Sequence, residues 1–194
     1  MSNKVELFFD LSSPYSYLAA TQMQPLAART GAEVVWRPMV LGAVFKAVGN
    51  DMPARVPPKG RWMGNDLARW AELYGVPWRM SSHFPANTIK AMRLVLVDDA
   101  KAADVALAGL RAMWAEDRDV TAEAELRRIA EEGGLDPATA LQAIEAPAIK
   151  DRLRANTDEA VARGAFGAPT MFVGDELFWG NDRLHFVEAA LRRK

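Results

Sequence analysis

The stretch Leu7–Met23, LFFDLSSPYSYLAATQM, decides how this chain is read. Its first residues complete an apolar run of strand type, VELFF at 5–9, which stops at Asp10. Pro14 suits the first position of a helix, where its missing N–H needs no partner. Ser13, just before it, is a natural N-cap. In the helix that follows, to about Arg29, the residues Tyr15, Leu18, Ala19, Met23 and Leu26 fall on one face. Pro25 removes one helical hydrogen bond and is expected to bend it. Gly31 ends the helix, and AEVVWRPM at 32–39 supplies a second strand. A strand, a helix and a strand this close together form a βαβ unit, with a parallel pair and a right-handed crossover.

Beyond this unit the composition changes. VGNDMPARVPPKGRWMGN, 48–65, is rich in Pro and Gly and is expected to be loop. From Asp66 to about Gly164 nearly everything has helical character. DLARWAELYG comes first, and NTIKAMRLVLVDDAKAADVALAGLRAMWAED makes one long or two consecutive helices. TAEAELRRIAEEGG follows with Thr121 as its N-cap, then DPATALQAIEA with Asp136 capping Pro137, then PAIKDRLRANTDEAVARG. After Gly164, PTMFVGDELFWG predicts an antiparallel hairpin around Gly174-Asp175. NDRLHFVEAALRRK predicts a terminal helix with Leu184, Val187 and Leu191 on one face.

The order β-α-β, helical block, β-β-α is that of an α/β, thioredoxin-like fold with a large all-helical insertion. Residues 1–40 and 165–194 would form the discontinuous thioredoxin-like domain, and 41–164 the loop and helical insertion domain. In such a fold a Cys-x-x-Cys motif opens the first helix. Here both sulfur positions are serine, Ser13 and Ser16.

Composition excludes much else. The 194 residues carry a net charge of −1, too balanced for a nucleic-acid or polybasic membrane surface. Glu6 and Asp10 interrupt the apolar core that a signal peptide would need. The uncharged stretch 11–28 carries Ser, Thr, Gln and two prolines, so it is expected to be an amphipathic helix and not a membrane span. Cytoplasmic residence is the expectation. With no cysteine the chain cannot exchange disulfides or bind zinc through thiolate. His83 and His185 form no ligand cluster, and no metal is expected. Phosphate-loop, dinucleotide and nucleophile-elbow motifs are absent from the sequence.

GAPT, 167–170, is the second feature. A proline leading into a strand is ordinarily just a strand start. In a thioredoxin-like layout Pro169 is instead expected to be a cis-proline facing the first helix. Ala168 would then offer free backbone N–H and C=O groups to an extended peptide.

FFDLSSPYSYLA, FPANT, GAPTMFVGDELFWGNDRL and the helical insertion together resemble the 2-hydroxychromene-2-carboxylate isomerases. These are relatives of the kappa-class glutathione transferases and of disulfide oxidoreductases with an inserted helical domain. The resemblance covers essentially the whole chain and implies that glutathione supplies the missing sulfur. Ser13 matches the family's catalytic serine, with Ser12 and Ser16 as neighbours able to share its role; from residue type alone Ser13 is equally an N-cap. A helix N-terminus favours an anion, and a hydroxyl donating to sulfur would favour the thiolate further.

Asn181 and Asp182 would hold the γ-glutamyl end of glutathione, with Asp182 taking its ammonium; the plainer reading is a helix cap. Asn50 and Lys59 match cofactor contacts, Lys59 at the glycyl carboxylate, whereas on its own Lys59 reads as a solvated loop residue. Trp62, Phe84 and Asn87 would line the aromatic substrate pocket, although Asn87 is by default a helix cap. His83 reads as a surface or packing histidine, His185 is given no role, and Trp36, Trp70, Trp78 and Trp114 read as core.

The activity implied is glutathione-dependent isomerisation of a small aromatic carboxylate in naphthalene-type catabolism. A kappa-like transferase that keeps the adduct, or a non-catalytic glutathione binder, are the alternatives. The relatives also imply a homodimer.

Overall fold

The computed structural model describes residues 3–193. Strand β1, Lys4–Phe9, leads into helix α1, Pro14–Thr30, which runs through Pro25 and ends at Gly31 in the left-handed conformation. Strand β2, Glu33–Pro38, returns parallel to β1, with Leu7 opposite Trp36. Helices α2 (Leu41–Val48), α3 (Pro57–Tyr74), α4 (Ile89–Leu94), α5 (Ala102–Trp114), α6 (Glu123–Glu132), α7 (Pro137–Ala143) and α8 (Pro147–Ala162) follow. Strands β3 (Thr170–Val173) and β4 (Glu176–Trp179) form the hairpin, and α9, Leu184–Arg192, closes the chain after a 3-10 turn at Asn181–Arg183. The sheet order is β2-β1-β3-β4, with β3 antiparallel to both β1 and β4.

Alternation along β1 separates two cores. Val5, Leu7 and Phe9 join Leu18, Met23, Met171, Val187 and Leu191 on the face covered by α1 and α9. Phe8 lies on the other face with Met39, Val44, Ala160 and Phe172. Glu6 shares that second face and pairs with Arg163 at 2.9 Å and Arg37 at 3.5 Å.

The helical insertion extends the first core. Leu67, Met92, Leu110, Met113, Trp114 and Ile129 are continuous with the residues of α1. Helix α5 approaches the β1–α1 turn so closely that a Cβ at Gly109 would stand 2.7 Å from a Leu11 methyl.

Two expectations fail. The segment 48–65 is largely helical: α3 begins at Pro57, and a 3-10 turn occupies Pro53–Arg55. Proline is tolerated in the first turn of a helix, so Pro57-Pro58 start α3 where a loop was expected. Thr121 does not cap α6. The cap position is Ala122, and the Thr121 hydroxyl donates to Asp119 at 2.6 Å. Asp136 caps α7 as expected, accepting the Thr139 N–H at 2.9 Å.

Candidate active site

The β1–α1 turn is assembled around Asp10, a carboxylate only 3% exposed. Its Oδ1 accepts the Ser12 N–H at 2.9 Å and the Thr88 hydroxyl at 2.6 Å, and its Oδ2 accepts the Leu41 N–H at 2.8 Å. Its carbonyl accepts the Ser13 N–H at 3.0 Å. Leu11 is held from the insertion on both sides: its N–H points at Met92 Sδ at 3.3 Å, and its carbonyl accepts Trp114 Nε1–H at 2.7 Å. Buried polar groups satisfied in this way fix a unique backbone path. The insertion therefore shapes the turn that carries the serines.

Ser13 is the N-cap of α1. Its Oγ accepts the Ser16 N–H at 3.2 Å and donates to the Ala168 carbonyl at 3.0 Å. The Ala168–Pro169 bond is cis, as expected. The carbonyl of Ala168, expected to be free, is thus engaged by Ser13, because the hydroxyl comes within reach across the cleft. The Ala168 N–H has no acceptor among the described residues. Ser16 Oγ is fully buried and without a hydrogen-bond partner, and Ser12 is half-exposed.

On the other side of α1, helix α3 presents a stripe to the cleft. Asp66 accepts the Tyr15 hydroxyl at 2.9 Å, and two turns later Tyr74 donates its hydroxyl to the Asn181 carbonyl at 3.0 Å. Burial, reinforced by Asp66 and then Asp182, pushes the Tyr15 phenol far above its ordinary value. That proton stays on Tyr15 and is committed to Asp66. Burial also raises Tyr74. Asn181 is buried, and the Asp182 carboxylate is half-exposed and paired with Arg183. Gly180, at φ +98, brings its N–H onto the Pro169 carbonyl at 3.0 Å, so the 180–182 turn sits against the Ala168–Pro169 segment.

Of the residues singled out from sequence, Ser13, Ala168, Pro169, Asn181 and Asp182 surround the start of α1. Asn50 joins them indirectly, its amide donating to the Phe166 carbonyl at 2.9 Å. Lys59 and Trp62 are exposed on the first turns of α3; Lys59, seven residues before Asp66, shares its face. The ion-paired lysines among the described residues are Lys90 and Lys150, so Lys59 has no carboxylate partner. Phe84 packs on Trp114, ring centres 5.6 Å apart, and reaches the turn only through that indole. Asn87 is exposed and its side chain accepts the Ile89 N–H at 3.2 Å, but it is not the helix cap, because Thr88 occupies the N-cap position of α4. His83 is exposed and lies near Asp119.

Sequence reasoning missed Asp10, Thr88, Trp114, Asp66 and Tyr74. Asp10 had a signal, a charge ending a buried apolar strand. Thr88 and Tyr74 had none, since their partners are 78 and 107 residues away. Two surface cavities, of about 280 and 240 Å³, lie apart from Ser13; the second borders Asn181 and Asp182 and runs along Gln22, Arg29 and His185. Among the described residues there is no cluster of potential metal ligands, and no helix is long and apolar enough to cross a membrane.

The profile of the DSBA-like thioredoxin domain matches residues 4–192. A 2-hydroxychromene-2-carboxylate isomerase from Sphingobium xenophagum is 36% identical over 193 residues, covering 98% of this chain and 99% of that protein. Glutathione S-transferase kappa 1 of Rattus norvegicus is 28% identical, covering 98% of this chain and 91% of its own. Among solved structures, a 2-hydroxychromene-2-carboxylate isomerase superposes with a TM-score of 0.90 at 31% identity, covering 98% of this chain and 95% of the other.

Proposed function

The chain belongs to the DSBA-like thioredoxin domains and, within them, to the family of the 2-hydroxychromene-2-carboxylate isomerases, and from that premise we propose that it is a glutathione-dependent cis–trans isomerase. Its substrates would be 2-hydroxychromene-2-carboxylate and trans-o-hydroxybenzylidenepyruvate, intermediates of naphthalene-type aromatic catabolism. One observation carries this reading: in a chain without cysteine, a buried serine caps α1 and faces the Ala168 backbone.

The residues present suit glutathione. The tripeptide has two carboxylates, an ammonium, a thiol and amide groups. The chain offers Lys59, without a carboxylate partner among the described residues, a half-exposed carboxylate, Asp182, and an Ala168 N–H with no acceptor among the described residues. Bound glutathione supplies a thiolate nucleophile, which adds reversibly to a conjugated double bond and is released unchanged.

The protein's part is to hold and ionise that thiol. A thiol of pKa ~8.5 is mostly protonated at neutral pH. The N-terminus of α1 favours the anion through the helix dipole, although Pro14 has no N–H and the Ser16 and Tyr17 N–H groups are already on Ser13. Ser13 would donate to the sulfur, Ala168 would pair with the cysteinyl backbone, Asn181 and Asp182 would hold the γ-glutamyl end, and Asn50 and Lys59 would add contacts, Lys59 at the glycyl carboxylate. Trp62, Phe84 and Asn87 would be the residues nearest the aromatic carboxylate.

The test is an absorbance assay on 2-hydroxychromene-2-carboxylate with and without catalytic glutathione, counting thiols before and after. Isomerisation that needs glutathione and consumes none is expected. Ser13→Ala should slow it about 10- to 150-fold, since a hydrogen bond to a charged group contributes roughly 1.5–3 kcal/mol. Undiminished turnover without any thiol would refute the reading. Stoichiometric loss of thiol would instead favour a kappa-like transferase, the reading to which the rat relative lends weight.

A further inference from the structure

The Ser13 hydroxyl has a single proton, and its neighbours fix where that proton points. The Ala168 carbonyl can only accept and the Ser16 N–H can only donate. The proton therefore lies on the 3.0 Å line to Ala168, while a lone pair takes Ser16 N–H at 3.2 Å. In this state Ser13 has no proton to offer a sulfur.

For Ser13 to stabilise a thiolate, its hydroxyl must turn away from Ala168. That leaves a half-buried carbonyl without a donor, which is unfavourable. The groups nearby cannot replace it. Pro169 has no N–H. The Gly180 N–H is already on the Pro169 carbonyl, and the Asn50 amide is on the Phe166 carbonyl. Ser16 Oγ makes no hydrogen bond and so is out of reach of the carbonyl. No protein donor is in reach, so once a ligand fills the cleft and excludes water from this half-buried carbonyl, the replacement donor must come from the ligand.

We propose that the Ser13–Ala168 hydrogen bond is a specificity lock: Ser13 turns its proton to a thiolate only when the same ligand brings a backbone N–H to the Ala168 carbonyl. This rests on the glutathione reading above and narrows the accepted thiols to cysteinyl peptides. The thiol is recognised and ionised in one exchange of hydrogen bonds. A simple thiol such as 2-mercaptoethanol has no N–H to place on Ala168, so it leaves Ser13 locked and stays protonated. The proton count balances, because the hydroxyl proton moves between two acceptors and is never transferred.

The test compares glutathione with its depsipeptide analogue, in which the N–H between the γ-glutamyl and cysteinyl units is replaced by an ester oxygen. Ionisation of the bound thiol is read from thiolate absorbance as pH is raised, at saturation established by calorimetry. The wild-type protein is expected to lower the thiol pKa of glutathione well below that of the depsipeptide, which keeps only what the N-terminus of α1 contributes. The difference should be about tenfold or more in thiolate fraction at neutral pH, the worth of one hydrogen bond to a charged group. In Ser13→Ala the two ligands should ionise alike, and Ser13→Thr, which keeps a hydroxyl, should restore the difference.

Equal lowering of both thiols by the wild-type protein would overturn the lock, and this comparison needs no variant. So would a difference that persists undiminished in Ser13→Ala. Either result leaves the isomerase reading standing if turnover still requires glutathione. A wild-type protein that binds no glutathione overturns both.

Discussion

Two carboxylates bracket the start of α1 and are used in opposite ways. Asp10 is buried and saturated, with donors drawn from its own turn, from α2 and from the helical insertion. Asp182 is half-exposed and is paired with the neighbouring Arg183, itself 48% exposed along its side chain. The first side of the site is fastened by bonds that water and ligands do not reach. The second holds its polar groups in contacts that a ligand can exchange. The proposed binding of a charged tripeptide would call for both, a rigid turn to aim Ser13 and a receptive rim around it.

The contrast breaks most easily at Asp10. Asp10→Ala leaves the buried Thr88 hydroxyl and the half-buried Ser12 and Leu41 N–H groups without an acceptor, at up to about 1–3 kcal/mol each, so a loss of ~3 kcal/mol or more is expected in denaturant unfolding. Asp182→Ala should lower stability by less than ~1 kcal/mol, as for an exposed pair, and act on glutathione affinity instead. Comparable stability losses in the two variants would erase the distinction.

Removing a donor from the insertion side should come next. Thr88→Val or Trp114→Phe deletes one buried hydrogen bond to the turn, and a loss of about 1–3 kcal/mol is expected. Thr88→Ser, which keeps the hydroxyl, should recover most of it in the same unfolding assay.

A comparable effect is expected on the receptive side. Gly180 adopts φ +98, and a Cβ there would stand 2.4 Å from Asp182 Oδ1. Gly180→Ala should cost about 1–3 kcal/mol in backbone strain and weaken glutathione binding by displacing Asp182. Unchanged calorimetric affinity would remove Asp182 from the cofactor site.

The sheet and the S-S-P turn were legible in the sequence because their signals are local. VELFF, the Pro14 helix start, Gly31 and Gly174-Asp175 each specify their own structure within a few residues. The start of α3 was not, because Pro57-Pro58 and the glycines at 60 and 64 obey loop statistics, while a helix that packs Asp66 on Tyr15 and Tyr74 on Asn181 overrides them. Ser13, Ala168 and Asp182 were singled out through motif and resemblance. What motif could not supply was the occupancy of their bonds: that Ala168 already accepts Ser13, and that Thr88 and Trp114 reach back from the insertion to hold Asp10 and Leu11.

The smallest expected effect is one of pH, far from the site. Glu132 is pulled down to about 2, first by its hydrogen bond to Arg118 and then by Arg111 and Arg128. A carboxylate depressed in the folded state stabilises above its ordinary value near 4.5, and that contribution disappears as pH falls from there through about 2. Melting temperature should therefore drop between pH 5 and pH 2 more steeply in the wild-type protein than in Glu132→Gln. Parallel curves would mean that the cluster joining α5 and α6 contributes nothing.

The most direct test of the two-sided site is a backbone amide NMR titration of the protein with glutathione. The account predicts that the largest shifts fall at Ser13, Ala168, Asn181 and Asp182, while Asp10, Leu11, Leu41 and Thr88 stay nearly still. Shifts centred instead on the Gln22, Arg29 and His185 cavity, or spread equally over the Asp10 turn, would contradict it.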